Sequence, residues 1–166
     1  MRIYVVRHGT AINREDPKCP AEAERYLTEE GITKTKQAAK GVAALGYSAD
    51  VMISSPYVRA WQTAEIFAGA LGYSKQKIQR TDLLLPSIDP ALLFRELAKD
   101  RKSADVFLFG HGPQVDGIIA MALGAKKDCT ALKKSGVALI ELTRVSPPSG
   151  QLLWLAAPKM LRSAGK

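Results

Sequence analysis

Cysteine is scarce in this 166-residue chain. Cys19 and Cys129 lie far apart, with no second Cys or His at metal-ligand spacing, which argues against both a disulfide framework and a zinc site. Long apolar runs are missing as well, since no window approaches the ~18 apolar residues that a membrane span needs. The first apolar run, Ile3 to Val6, meets Arg7 at once and is too short for a signal peptide. The expectation is a cytoplasmic protein with no membrane contact. Repeats, low-complexity tracts and linkers are lacking, so residues 1–166 are expected to form a single domain. There is no G-x-x-x-x-G-K-[ST] loop, no G-x-G-x-x-G, no G-x-S-x-G elbow and no C-x-x-C, which removes the usual marks of nucleotide, dinucleotide, serine-hydrolase and redox sites. Histidine occurs only twice.

What remains is an ordinary globular composition, 46% hydrophobic and 24% charged, long enough to bury a sizeable core without disulfides or metal. The net charge is +8. Most of it, +6, lies between Lys126 and Lys166, leaving +2 for the first 125 residues. Such a balance makes acidic or phosphorylated partners plausible without choosing among them. Nucleic acid is disfavoured, because no recognised motif and no basic-aromatic interleaving accompanies the charge, and Trp61 and Trp154 read as core or edge packing.

Short β-branched runs alternate with helical patterns. Arg2 to Arg7 reads as a strand buried on both faces. Thr28 caps a helix whose inner face is Ile32, Ala39, Val42 and Ala43, ending at Gly46. Asp50 to Ser55 is a second strand, and Pro56 opens a helix burying Ala60, Ala64, Phe67 and Leu71 up to Gly72. A weaker strand is expected near Ile78, and Asp89-Pro90 caps a helix with Leu93, Phe94 and Leu97. Asp105 to Phe109 is the third clear strand, followed by a helix carrying Val115, Ile118, Ile119 and Ala122. Two final strands, Val137 to Leu142 and Leu152 to Ala156, are joined by a hairpin-like turn at Pro147 to Gly150. The fold class is therefore α/β: a three-layer sandwich with a largely parallel central sheet, helices on both faces and an antiparallel edge.

Ligands of open parallel sheets bind outside the carboxyl ends of the strands. Those ends here deliver Arg7-His8-Gly9, then Ser54-Ser55-Pro56 with Arg59 one turn into the helix, and Gly110-His111-Gly112. Each residue alone has an ordinary surface explanation. The conjunction of two arginines and two histidines at three strand ends, with no carboxylate among them, does not. Two guanidinium forks match phosphoryl oxygens. One neutral imidazole, held through its other nitrogen by a backbone carbonyl, can accept a phosphoryl group, and a second, protonated one would stabilise the transferring charge. Gly9 and Gly112 let a ligand approach the backbone. Asn13, in the long loop from Ala11 to Leu27, is a further candidate phosphate contact. A metal centre on the two histidines is disfavoured by the arginines beside both, and no cofactor is implied.

These residues resemble the histidine phosphatase superfamily, the phosphoglycerate mutase-like group. The resemblance rests on Arg7-His8-Gly9, on Ser55-Pro56-x-x-Arg59-Ala60-x-Gln62-Thr63-Ala64, on Gly110-His111-Gly112-Pro113, and on Leu27-Thr28-x-x-Gly31. It implies that His8 is the phosphorylated nucleophile, with Arg7, Arg59 and His111 completing the phosphate pocket. The short chain, with little room for insertions over the site, is most similar to the SixA-type phosphohistidine phosphatases. That implies a phosphorylated histidine-containing phosphotransfer protein as partner; a small phosphate ester, or a phosphate-binding module without turnover, are the alternatives. Two departures stand out. Thr10 follows Arg7-His8-Gly9 where many relatives have an acid. In the segment where ester-cleaving relatives place a general acid, Ser87 stands, with Asp82 and Asp89 as substitutes. Loss of an acid favours phosphohistidine, because the leaving imidazole carries its own proton whereas an alkoxide needs a donor. Lys126, Lys127, Lys133 and Lys134 are read as a docking cluster for an acidic protein or as a solvated loop. The oligomeric state is left open.

Overall fold

A computed structural model describes residues 1–100 and 102–165. Eleven strands and helices follow one another: β1 (Arg2–Arg7), α1 (Glu29–Ala44), β2 (Val51–Ser54), α2 (Val58–Leu71), β3 (Gln79–Arg80), α3 (Pro90–Leu97), β4 (Asp105–Gly110), α4 (Gln114–Ala122), β5 (Val137–Arg144), β6 (Ser149–Ala156) and α5 (Pro158–Ala164). They build a six-stranded sheet in the order β3-β2-β4-β1-β5-β6. The first four run parallel, and β5 and β6 add the antiparallel edge.

Side chains alternate across β1, so Ile3 and Val5 enter one apolar cluster with Leu93, Phe94, Ile118 and Ile119, while Tyr4 and Val6 enter another with Val42, Phe67 and Leu161. Helices α3 and α4 thus cover one face and α1, α2 and α5 the other. Phe67, Phe94, Phe107 and Phe109 are fully buried, and burial of each such side chain stabilises by roughly 1.5–3 kcal/mol. Thr28 accepts the Gly31 N–H at 3.0 Å to start α1, and Asp89 accepts the Ala91 N–H at 2.9 Å to start α3. Gly72 ends α2 at φ +66°, a conformation that disfavours side chains.

Three details differ from the sequence reading. The strand near Ile78 shrinks to two residues, because its neighbours are taken by short 3-10 turns at Lys75–Lys77 and Asp82–Leu84. The last two strands form an eight-on-eight ribbon, with β6 starting at Ser149, since pairing extends through exposed residues that carry no apolar signal. Helix α5 was not anticipated. It buries one residue, Leu161, too few for a helical period, and it packs where Gly41 lacks a side chain: a Cβ there would lie 1.9 Å from the Leu161 carbonyl. Trp154 packs against the second cluster and donates to the Tyr47 hydroxyl at 2.9 Å, and Trp61 carries the Arg80 guanidinium on its face, as packing residues do. No helix among the described residues is long and apolar enough to cross a membrane.

Candidate active site

Register brings the site together. Arg7 at the end of β1 lies opposite Gly110 at the end of β4, and the His8 N–H donates to the Gly110 carbonyl at 3.0 Å. The Ser55 N–H, one residue beyond β2, donates to the Phe109 carbonyl at 3.0 Å. Three adjacent parallel strands therefore present His8, His111 and Ser55 side by side. The two imidazole centroids are 5.1 Å apart, and both residues are buried, at 8% and 1% exposure.

His8 Nδ1 lies 2.6 Å from the Gly9 carbonyl. A carbonyl only accepts, so Nδ1 carries the proton and Nε2 keeps its lone pair. Arg59 Nε donates to that Nε2 at 3.3 Å. Burial, then the nearby Arg59, Arg7 and Lys134, push the His8 pKa down to about 3 against the opposing Gly9 carbonyl. The ring is neutral at physiological pH, as a nucleophile must be. Gly9 is held by its N–H on Thr63 Oγ1 at 3.0 Å, while the Thr63 hydroxyl donates to the Arg59 carbonyl at 2.7 Å. A Cβ on Gly9 would come within 2.4 Å of Thr35 Oγ1.

His111 Nε2 lies 2.8 Å from Ser55 Oγ, and its pKa is also lowered to about 3, by burial and by the facing His8 and Arg59. Burial thus keeps His111 neutral in the unliganded pocket. Arg7 donates from Nη1 to the Leu132 carbonyl at 2.8 Å and lies flat against Gly112, where a Cβ would stand 3.1 Å from its guanidinium carbon. Arg7 Nε and His111 Nδ1 are buried without a protein partner. Such nitrogens cost roughly 1–3 kcal/mol each; a phosphoryl oxygen is suited to accept from the Arg7 Nε–H, and from His111 Nδ1 where that nitrogen carries the proton.

A carboxylate from outside the strand ends, Glu22, reaches the site. A 3-10 turn at Glu22–Glu24, inside the long loop, places its Oε1 2.8 Å from Arg59 Nη2 and its carbonyl 2.7 Å from Nη1. Arg14 binds the same carboxylate at 2.9 and 3.0 Å, and Arg25 at 3.2 Å. Arg14, with Arg59 and Arg25, holds the Glu22 pKa down at about 2. Nothing in the local sequence marks Glu22, which reaches Arg59 from 37 residues away. Asn13 is exposed in a turn, and its side-chain oxygen accepts from the Glu15 N–H at 3.5 Å; none of its hydrogen bonds among the described residues reaches the pocket. In the segment expected to hold an acid, Asp82 is exposed at the head of a 3-10 turn and Asp89 caps α3; neither carboxylate has a hydrogen bond to His8, His111, Arg7 or Arg59 among the described residues. Gln114 ties that segment down by donating to the Leu83 and Ile88 carbonyls at 2.7 and 3.1 Å.

The sequence profile of the histidine phosphatase superfamily (branch 1) matches residues 3–84. An uncharacterized protein of Picosynechococcus sp. is 36% identical over 141 residues, covering 82% of each chain. The serine/threonine-protein phosphatase Pgam5, mitochondrial, of Drosophila persimilis is 32% identical over 82 residues, which are 49% of this chain and 27% of that protein. Among solved structures, the protein histidine phosphatase SixA complexed with tungstate aligns at a TM-score of 0.85 and 22% identity, over 96% of this chain and 98% of that one. Phosphoserine phosphatase of Entamoeba histolytica aligns at 0.72 and 16% identity, over 96% and 98%. Both share the fold. The chain belongs to the histidine phosphatase superfamily and, with it, to the phosphatases.

Proposed function

We propose that this phosphatase removes the phosphoryl group from phosphohistidine, with a histidine-containing phosphotransfer domain in the cytoplasm as the substrate this reading names. The observation that carries the substrate class is the state of Glu22. It is the carboxylate that touches the phosphate-binding arginine, and three guanidiniums hold it ionised with a pKa near 2. It has no proton to give. Alkoxide expulsion needs a positioned acid, typically worth ~10²- to 10⁴-fold in rate, whereas a leaving imidazole has a conjugate acid of pKa roughly 6.5.

In this mechanism His8 Nε2 attacks phosphorus in line while Arg7 and Arg59 hold the equatorial oxygens. The phosphorus–nitrogen bond of the substrate breaks, and the leaving imidazole departs with the proton it already carries. The phosphoryl group then resides on His8 Nε2, with Nδ1–H still on the Gly9 carbonyl. Water attacks the phosphorus in a second in-line step, breaking that bond and releasing inorganic phosphate. His111, neutral beforehand, takes up a proton from solvent as the phosphoryl dianion binds, supports the transferring charge, and returns the proton to solvent when phosphate leaves.

The test is incubation with a phosphorylated phosphotransfer domain and with a panel of small phosphate esters, with acid-labile label sought on His8. Label on His8, and faster turnover of phosphohistidine than of alkyl phosphates, is the expected result. Preference for the esters would replace the substrate assignment, and turnover retained by His8→Ala would overturn the mechanism. Phosphate binding without any turnover would assign a recognition module instead.

A further inference from the structure

Arg7 lines not only the histidine pocket but also an open cavity of about 460 Å³, together with Lys34, Lys133, Lys134, Lys159 and Arg162. A neighbouring cavity of about 500 Å³ continues from Lys159 and Arg162 to Lys40. No carboxylate among the described residues lines either one. Lys34 is partly neutralised by its ion pair with Glu30. The other six cations lie along a strip, and Lys134 is already pushed below its ordinary pKa by burial and by the adjacent Arg7 and Arg25. The cations come from the end of β1, from α1, from the turn before β5 and from α5, four segments far apart in sequence.

We infer that this strip is the docking surface for an acidic face on the phosphorylated protein, oriented so that the phosphohistidine enters beside Arg7. The partner's identity rests on the phosphohistidine reading above. Length and flexibility choose an acidic protein face over a compact polyanion: the donors are long, mostly exposed side chains spread over two joined cavities, not a rigid buried fork. No aromatic side chain among the described residues lines either cavity, which argues against single-stranded nucleic acid, since that needs stacking platforms. Charges of one sign along such a strip raise association rate and are screened by salt. The sequence cluster is thereby divided, because Lys133 and Lys134 belong to the strip and Lys126 and Lys127 line neither cavity.

The experiment compares kcat/KM on an acidic phosphohistidine domain, on an acidic phosphoserine protein and on N-phosphoimidazole for wild type, for Lys159→Glu with Arg162→Glu, and for Lys40→Glu on the long helix α1. For whichever phosphoprotein wild type dephosphorylates, both variants are expected to lose about tenfold at low salt through KM, and less at high salt. N-phosphoimidazole turnover stays within twofold of wild type. Lys126→Glu with Lys127→Glu, carrying the same change in net charge as the double variant, is expected to leave all three substrates unchanged. Undiminished protein turnover in the strip variants, equal losses on the small substrate, equal loss in the Lys126 and Lys127 variant, or stronger competition by an oligonucleotide than by the unphosphorylated acidic domain would overturn the docking surface. Wild-type activity on phosphoserine but not phosphohistidine would overturn the substrate reading alone, and activity on neither protein would overturn both.

Discussion

Arg59 grips Glu22 twice, donating from Nη1 to its carbonyl at 2.7 Å and from Nη2 to its carboxylate at 2.8 Å, while its Nε turns to His8 at 3.3 Å. The Arg59 guanidinium, proposed to hold the phosphoryl group, is aimed by the long loop as well as by its own helix. Glu22 therefore both orients Arg59 and offsets the charge of Arg14, Arg25 and Arg59. Replacing it by glutamine keeps an acceptor and removes the charge. Glu22→Gln is expected to tighten competitive inhibition by inorganic phosphate only about three- to tenfold, because solvent screens the partly exposed carboxylate. Unchanged or weaker inhibition would show that Glu22 does not compete with phosphate for the arginines.

The two histidines couple stability to pH. Each has a folded pKa near 3 against an unfolded value of about 6.5, so between these limits the unfolded chain binds more protons. Their contribution is complete above pH 6.5 and is lost progressively as pH falls toward 3. Thermal melting should fall over this window, with a shallower slope in His8→Asn with His111→Asn. Phosphate, which favours protonated His111, should flatten the wild-type slope.

Asp116 acts on the pocket through a relay. Its Oδ1 accepts from Thr130 Oγ1 at 2.7 Å and from the Leu132 N–H at 2.9 Å, and the Leu132 carbonyl takes Arg7 Nη1 at 2.8 Å. Loss of such a buried bond costs about 1–3 kcal/mol. Asp116→Ala should raise KM and the inhibition constant for phosphate more than it lowers kcat. Asp116→Asn, which still offers an acceptor oxygen, should restore both.

Gly31 in α1 lies against the loop after β1, where a Cβ would meet the Thr10 carbonyl at 2.0 Å. A backbone carbonyl held by the Thr28 N–H at 3.0 Å cannot yield as a side-chain end does. Gly31→Ala is expected to destabilise by about 1–3 kcal/mol, with the melting temperature falling about 2–4 °C per kcal/mol. An unchanged melting temperature would show that the loop moves freely.

Asp82 and Asp89 offer a negative control for acid catalysis. Asp89→Asn preserves the helix cap, since asparagine is as good an N-cap as aspartate. Turnover of phosphohistidine by Asp89→Asn and by Asp82→Asn is expected within twofold of wild type. A loss of ~10²-fold or more in either would identify a general acid and reopen ester substrates.

Legibility followed the range of the interactions. Strands β1, β2 and β4 are dense β-branched or aromatic runs, and Thr28 and Asp89 are local caps, so each was readable within a few residues. Helix α5 escaped because one buried leucine makes no period, and β6 because half its ribbon is exposed. At the site, the motif segments predicted the neighbourhood of His8, Arg59 and His111. Glu22 and the Asp116 relay carried no such signal.

By itself, the sequence determined that the central strands would be short, parallel and buried with an antiparallel edge, that both histidines would follow strand ends, and that any ligand there would meet arginines and no Walker-type loop. These depend on side-chain period and local backbone chemistry. Only the tertiary structure decided which nitrogen of His8 is free, that His111 is neutral, that Glu22 enters the arginine cluster, and that scattered lysines align beside Arg7. Those properties arise from burial and from distances between residues tens of positions apart, which no local pattern in the chain encodes.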